Sequence, residues 1–246
     1  MDREFYGHDL AYIHDAGFGD VARAAAATLL KLLAARRIGR GLIVELGTGS
    51  GIVAERLSLA GYDVLASDLS AAMLALAQRR APRATFRQQS LLDAEIPPCV
   101  AVAAVGEVFN YAADPRHSTR RLSALLRRIH AALPAGGLLL FDVATPGRVR
   151  GKEPQRRFFA GDDWAVLVEA TERRAARELV RRITSFRRVG HLYRRADEEH
   201  VQRLFDPREI AALLRRLGFR VRTLRGYGAL RFSPGVVAFM ATKATT

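Results

Sequence analysis

The chain is expected to form an α/β fold, a mostly parallel β-sheet covered by helices on both faces. Three observations predict it. Strand-length apolar runs alternate with helix-length amphipathic segments over most of the 246 residues. The runs at 42–46 and 100–105 are apolar at nearly every position, as strands buried on both faces require. Glycine and proline mark the joints, most densely in Gly47-Thr48-Gly49-Ser50-Gly51 after the first strand.

Element by element, residues 20–37 read as a helix with Val21, Leu29, Leu30 and Leu33 on its apolar stripe. Strand 42–46 leads through the glycines to a helix at 51–60, then to strand 62–66, helix 70–79 and a third strand at 84–87. Residues 100–105 form the next strand. Asp114-Pro115 predicts a helix N-cap and first-turn proline, with Leu122, Leu125, Leu126, Ile129 and Leu133 following at helical spacing. Pro134 and Gly136-Gly137 end that helix, and 138–142 is a strand.

From about 150 to 205 the alternation stops. Residues 164–168, 178–189 and 200–205 read as strands with no helices between them, an insert near the ligand-binding edge of the sheet. Asp206-Pro207-Arg208-Glu209 then reads as a capping box. Ile210, Leu213, Leu214 and Leu217 form the buried stripe of its helix, which Gly218 stops. Strands at 219–224 and 236–241 close the chain.

Hydrophobic residues make up 49% of the chain, enough for a sizeable core, and no apolar run approaches the roughly 18 residues that span a bilayer. Met1-Asp2-Arg3-Glu4 leads into no signal-type apolar stretch, so a cytoplasmic location without membrane attachment is expected. The single cysteine, Cys99, adjoins Val100-Ala101-Val102 and reads as a core residue rather than a catalytic thiol. The net charge of +14 comes from 39 lysines and arginines, all but three of them arginine, alongside abundant alanine. That bias fits a GC-rich coding sequence. The functional alternative is attraction to nucleic acid, a phosphorylated or carboxylated substrate, or a membrane surface. The pairs Arg36-Arg37, Arg127-Arg128, Arg181-Arg182 and Arg215-Arg216 are scattered, with no dense basic tract, so the compositional reading is preferred.

The glycine turn carries the most chemistry. Glycines there let the backbone take left-handed torsions and let a ligand approach, and the following helix N-terminus offers free N–H groups. A dinucleotide fingerprint needs its third glycine one residue later, where Ile52 stands, and there is no Walker lysine. Asp68 closes the second strand, where a carboxylate can accept hydrogen bonds from two ribose hydroxyls; equally, it can cap the helix starting near Ser70.

Glu45-Leu46-Gly47-Thr48-Gly49-Ser50-Gly51 resembles motif I of class I S-adenosylmethionine (SAM)-dependent methyltransferases. With Asp68, Gln89-Ser90-Leu91, Gly106-Glu107 and the order of the last strands, the resemblance runs from about residue 42 to 241. It implies a Rossmann-like seven-stranded sheet with a reversed final hairpin strand, in one domain spanning 1–246. Residues 1–40 would be a helical cover and 150–205 an antiparallel substrate lid. It implies SAM as cofactor: Glu45, Gly47, Gly49 and Gly51 at the amino-acid part, Asp68 at the ribose, and Leu69 and Met73 near the adenine. Ser90 or Leu91 occupies the adenine-amino position, where the family often has aspartate; Asp93 comes slightly later. Gly106 and Glu107 would face the methionine part and the methyl group, and Tyr12 would cover the cofactor. The segment Glu198-Glu199-His200-Val201-Gln202-Arg203 resembles one that precedes the capped helix in small-molecule methyltransferases of the broad "methyltransferase domain" group.

The activity so implied is in-line methyl transfer to an O or N nucleophile of a small-molecule acceptor. Glu107 is the first acceptor-side candidate, against a role holding the sulfonium or capping a turn. Asn110 and Tyr111 could orient an acceptor. Glu198, His200 and Gln202 share one face of a strand, which makes His200 a second candidate base beside Glu198, although a lone histidine is commonly structural. His117 is expected at the surface. Trp164, Phe158 and Phe159 could line a pocket or serve the core. The histidines are too dispersed for a metal centre. An RNA or protein substrate is supported only by the charge, and Gly106-Glu107-Val108-Phe109 stands where an Asn-Pro-Pro-Tyr motif would serve amide nitrogens. A nicotinamide-dependent oxidoreductase is disfavoured by the glycine spacing, and a SAM-binding scaffold without catalysis is the remaining alternative.

Overall fold

The computed structural model describes residues 5–149, 151 and 153–244. Helices α1 (His8–Gly17) and α2 (Asp20–Ala35) lead into β1 (Leu42–Leu46), α3 (Ile52–Leu59), β2 (Asp63–Asp68), α4 (Ala71–Arg80), β3 (Thr85–Gln88) and β4 (Ala101–Ala104). Helix α5 (Thr119–Ala132) and β5 (Leu138–Ala144) follow. Four consecutive strands come next: β6 (Gln155–Ala160), β7 (Trp164–Arg173), β8 (Glu178–Val189) and β9 (Leu192–Arg203). Helix α6 (Pro207–Arg216), β10 (Phe219–Leu224), the short β11 (Gly226–Tyr227) and β12 (Leu230–Arg231), and β13 (Val236–Lys243) complete the chain.

The expected architecture is present. Seven strands form one sheet in the order β10-β13-β5-β4-β1-β2-β3. Neighbours are parallel except at β13, which runs against both β5 and β10. No helix lies between β10 and β13, so the chain returns beside β10 in the opposite direction. Alternation along each strand divides the apolar residues between two cores. On one face Val44, Val102, Leu139 and Phe141 meet Leu125 and Ile129 of α5 and Leu214 of α6. On the other, Ile43, Leu138 and Leu140 meet Leu29 and Leu33 of α2 and Leu57 of α3. Each fully buried leucine or isoleucine stabilises the fold by about 1.5–3 kcal/mol. Cys99 is buried in the first core, and burial pushes its thiol up to about 11, as suits a packing residue. No helix among the described residues is long and apolar enough to cross a membrane.

Several boundaries differ from the sequence expectation. Asp114 does not start α5. Its Oδ1 accepts a hydrogen bond from the Arg116 amide (2.9 Å), a local turn that competes with helix, and Ser118 caps instead through the Arg121 amide (3.3 Å). At α6, Asp206 caps as expected, accepting from the Arg208 amide at 2.7 Å. Glu209 does not reach back to close a capping box; it pairs with Arg177 at 3.1 Å. Helix α1 and strand β6 were not anticipated, and β9 starts well before residue 200.

The strand order reverses between β1 and β4, and the carboxyl ends there open the crevice where ligands bind in open α/β sheets. The second sheet, β6-β7-β8-β9, is antiparallel throughout and faces this crevice.

Candidate functional site

The turn after β1 has the conformation its glycines predict: Gly47, Gly49 and Gly51 take φ of +66°, +54° and +81°. Two of them also serve packing. A Cβ on Gly47 would lie 2.5 Å from Val108 Cγ1, and one on Gly51 would lie 2.8 Å from Ala77 Cα. Gly49 differs, since a Cβ there would meet nothing within 4 Å. Its backbone therefore borders open space on the cavity side.

Asp68 locks this turn to the end of β2. Its Oδ2 accepts from the Gly49 amide (2.8 Å) and its Oδ1 from the Ser70 amide (2.9 Å). A carboxylate has about four acceptor positions, so two remain for a ligand's hydroxyls. The helix cap itself is Ser70, whose Oγ accepts from the Met73 amide at 3.1 Å. Burial raises Asp68 above its ordinary range despite these N–H donors. Beneath it Glu45 is buried, accepting from the Thr48 hydroxyl at 2.8 Å and from the Ala54 backbone, yet burial, together with the Asp68 charge, pushes it up to about 8.

At the end of β4, which pairs with β1, lies a second strained turn. Gly106 (φ +91°) and Glu107 (φ +61°) are both left-handed, and a Cβ on Gly106 would again meet nothing within 4 Å. Asp142 on β5 holds this turn by accepting from the Gly106 amide (3.0 Å) and the Glu107 amide (2.7 Å), while the Tyr227 hydroxyl donates to it at 2.8 Å. Burial raises Asp142 to about 6 against those donors.

Glu107 departs from the expected general base. Its Oε1 accepts from Arg148 (2.8 Å), and its Oε2 from Arg181 (3.0 Å) and Gln202 (2.9 Å). Burial works to raise its carboxyl, but the Arg181 and Arg148 guanidiniums outweigh it and hold Glu107 below the usual carboxylate range. A carboxylate so neutralised is a poor proton acceptor at neutral pH. It positions two arginines.

The cavity enclosed by these turns and the second sheet has a volume of about 640 Å³. Along β6, β7 and β8 alternate residues face it: Gln155, Arg157 and Phe159, then Val166 and Val168, then Arg181. The N-terminal segment forms another wall through Phe5, Tyr6 and His14. Tyr6 is pinned there, its amide donating to Glu198 Oε2 (2.9 Å) and its carbonyl accepting from Ser70 Oγ (2.7 Å). Its hydroxyl meets that of Tyr111 at 3.1 Å, and burial raises both phenols.

Of the residues singled out from the sequence, Glu45, Gly47, Gly49, Asp68, Leu69, Met73, Ser90, Leu91, Gly106 and Glu107 line this one cavity, and Gly51 supports the turn from behind. Tyr12 does not line it: its hydroxyl donates to Asp163 (2.9 Å) and its ring lies 3.8 Å from the Arg187 guanidinium. Tyr6 stands where Tyr12 was expected. His200 is also absent from the lining; it is buried behind Phe5, Tyr6 and Tyr111 with Nε2 2.8 Å from Glu198. Glu198 in turn holds the Tyr6 and Gly7 amides, so this pair braces the N-terminal segment rather than facing an acceptor. Asn110 is committed to backbone, joining Ala144 through both its amide atoms and donating to the Arg203 carbonyl. His117, expected at the surface, is buried against the Phe109 carbonyl (2.9 Å), because the chain before α5 turns inward. Asp93 is exposed on Arg116 (3.2 Å), whereas Asp114 lines the cavity near Ser90. Phe159 reaches the cavity; Trp164 packs against Phe18, and Phe158 is exposed. Sequence reasoning missed Tyr6, His14, Asp142, Arg148, Arg157 and Arg181. An acid inside the otherwise apolar run at 138–142 was the legible signal for Asp142.

A family model described as a methyltransferase domain matches residues 18–224. The putative methyltransferase YqeM of Bacillus subtilis is 26% identical over 195 residues, covering 74% of this chain and 74% of its own. A SAM-dependent methyltransferase from Clostridium acetobutylicum has the same fold, with a TM-score of 0.80 at 17% identity over 96% of this chain and 98% of its own. So does CalS10, a SAM-bound amino pentose methyltransferase from Micromonospora echinaspora, with a TM-score of 0.75 at 19% identity over 98% and 99% of the two chains. A match over most of the sequence, on a fold with its glycine turn at the strand-order reversal, settles the family: the chain belongs to the methyltransferase-domain family.

Proposed function

We propose that this protein transfers the methyl group of SAM to an N or O nucleophile on a small molecule. The observation that carries the reading is the pair of left-handed turns at neighbouring strand ends, Gly47–Gly51 and Gly106–Glu107, which border one cavity with Asp68 flanking the first of them. The donor set suits SAM. Open space at Gly49 and Gly106 leaves room for a ligand against bare backbone, and Asp68 keeps acceptor positions for ribose hydroxyls. Glu45, buried and with a raised pKa, suits a neighbouring cation such as the methionyl ammonium. Leu69 and Met73 offer the adenine an apolar surface, and Ser90, Leu91 and Asp114 lie near its edge.

When bound, SAM supplies an electrophilic methyl on a good leaving group. The chain's own work is alignment and exclusion of water. The apolar residues of β7, with Phe159 and Tyr6, cover the acceptor side, so that residues 150–205 act as a lid and the segment up to residue 40 as a helical cover. His14 is the imidazole this wall offers. Burial lowers it to about 4, so it is neutral at pH 7 and can accept a hydrogen bond from an amine or hydroxyl. At that pKa it is a weak base and serves to orient the acceptor more than to take its proton.

A small acceptor is favoured because the cavity volume falls within the roughly 300–1,000 Å³ of small-molecule sites and must also house the cofactor. The amino sugar acted on by CalS10 gives a first acceptor class to try. The test is calorimetry with SAM, S-adenosylhomocysteine (SAH) and NADH, followed by a methyl-transfer screen over amino sugars, phenols, amines and structured RNA. Micromolar SAM and SAH binding with small-molecule methylation is expected. NADH binding without SAH binding, or methylation confined to RNA, overturns the proposal.

A further inference from the structure

Besides its apolar residues and the polar Gln155, Tyr6, Tyr111 and His14, the acceptor wall carries three arginines, and Arg231 of β12 also lines the cavity. Arg181 on β8 and Arg157 on β6 project from the same face of the second sheet, and Arg148 comes from the loop after β5. Arg181 and Arg148 each give one Nη to Glu107. Among the described residues, Arg157 hydrogen-bonds only to the Gln155 side chain, at 3.4 Å. Three positive charges thus face one carboxylate at this end of the cavity. The other acids lining it are each hydrogen-bonded elsewhere: Glu45, Asp68 and Asp142 at the glycine turns, Asp114 on Arg116, and Asp20 on Arg23. The guanidiniums also repel one another: burial first, then the Arg181 and Arg157 charges, draw Arg148 down against the pull of Glu107. Two half-buried guanidiniums that share one carboxylate, with a third at the exposed side, gain from an anion placed among them.

Resting on the methyl-transfer reading above, we propose that the acceptor carries an anionic handle, a phosphate or a carboxylate, that binds between Arg157 and Arg181 with Arg148 at its side. Glu107 fixes the inner edges of Arg148 and Arg181, so the guanidinium donors turned away from Glu107 are pre-aimed at the lid side, where a two-oxygen group fits the fork geometry. The handle would set the distance between the lid and the transferred methyl, giving the site its selectivity.

The test uses the full chain saturated with SAH and titrates inorganic pyrophosphate, malonate, glucosamine 6-phosphate and glucosamine. Binding of pyrophosphate or glucosamine 6-phosphate identifies a phosphate handle, and binding of malonate a carboxylate. At least one anion should bind roughly tenfold more tightly than glucosamine, in line with charge-assisted pairing. Arg157→Gln, at an exposed position whose loss leaves Glu107 paired, should weaken that anion about fivefold and leave SAH affinity unchanged; Arg181→Gln should weaken it further. The proposal is overturned if no anion outcompetes glucosamine. It is equally overturned if the arginine variants lose SAH affinity instead, which would place these guanidiniums on the cofactor's own carboxylate. Failure of the wild-type chain to bind SAH would overturn the methyl-transfer reading, a result separate from either.

Discussion

The two walls of the cavity are built on different principles. The wall proposed for the cofactor is backbone: two left-handed turns, their amides, and the carboxylates of Asp68 and Asp142 that clamp them from adjoining strands. The wall proposed for the acceptor is side chain: one residue in two from three antiparallel strands, together with Tyr6 and His14 from the N-terminal segment. Backbone geometry tolerates few sequences, because Gly47 and Gly51 have no space for a Cβ and the torsions there exclude most residues. A strand face tolerates many. The first wall is suited to a constant ligand and the second to a variable one.

Removing the carboxylate of Asp68 probes that contrast most strongly. Asp68→Ala should lower SAH affinity about a thousandfold, since two charge-assisted hydrogen bonds of about 2 kcal/mol each are lost. Unfolding should stay cooperative, because Ser70 still caps α4. Calorimetry and a melt on the same sample check this; a large melting shift with unchanged affinity would reduce Asp68 to a clamp. Glu45→Gln comes next. Glu45 titrates near 8 when folded against an ordinary 4.5, so a raised carboxyl contributes stability below about pH 4.5 that is lost as pH rises through 8. The variant has no such loss and should gain on the order of 3 kcal/mol over the wild type between pH 5 and 8 in ligand-free urea melts. A gap that does not widen with pH would mean Glu45 is ionised at neutral pH.

Glu107→Gln tests the other wall. It leaves Arg148 and Arg181 facing each other without their shared carboxylate, and should cost about 2 kcal/mol above pH 5. The folded pKa of Glu107 is lowered, so its contribution is present above about 4.5 and fades as pH falls through the folded value. Urea melts at pH 7 and pH 4 compare the full contribution with one that has begun to fade. Acceptor KM should rise with little change in SAH affinity; equal losses of both would move Glu107 to the cofactor wall.

What the sequence disclosed follows the same division. The glycine turn and Asp68 were legible because a strand, a tight turn and a helix N-terminus lie in consecutive residues, each with its own residue preferences. The second sheet was legible only in part. Gln155-Arg156-Arg157-Phe158-Phe159-Ala160 puts arginine and phenylalanine on both faces, so alternation gives no signal for β6. β9 carries charges on both faces up to Glu199, held by polar partners on β8 such as Thr184 for Asp197 and Arg182 for Glu199, so alternation gives no signal there. Tyr12 and Tyr6 lie close together in sequence, and the hydrogen bonds that the Tyr6 and Gly7 amides donate to Glu198 help decide which one reaches the cavity. Glu107 lines the cavity as expected, but its surroundings depend on Arg148 and Arg181, distant in sequence and unremarkable among so many arginines.

His14 gives the smallest predicted effect and the sharpest test of how the acceptor wall handles protons. Its ring lies against Tyr6 and Phe18 (centroids 5.4 and 6.0 Å), and burial lowers it to about 4 from 6.5. Among the charges around it, Asp15 works to raise it, while His200 and Arg181 lower it. A depressed histidine contributes stability that is complete above about pH 6.5 and is lost as pH falls toward 4. In His14→Gln that loss should shrink by about 1–2 kcal/mol between pH 7 and 4.5. If His14 also receives the acceptor's proton, kcat should fall about tenfold, the low end of what a positioned base contributes, while KM and SAH affinity stay constant. The acid limb of the wild-type kcat profile should disappear with it. Unchanged kcat with flattened stability would leave His14 a packing residue, with the acceptor arriving already deprotonated and the wall left only to hold it in line.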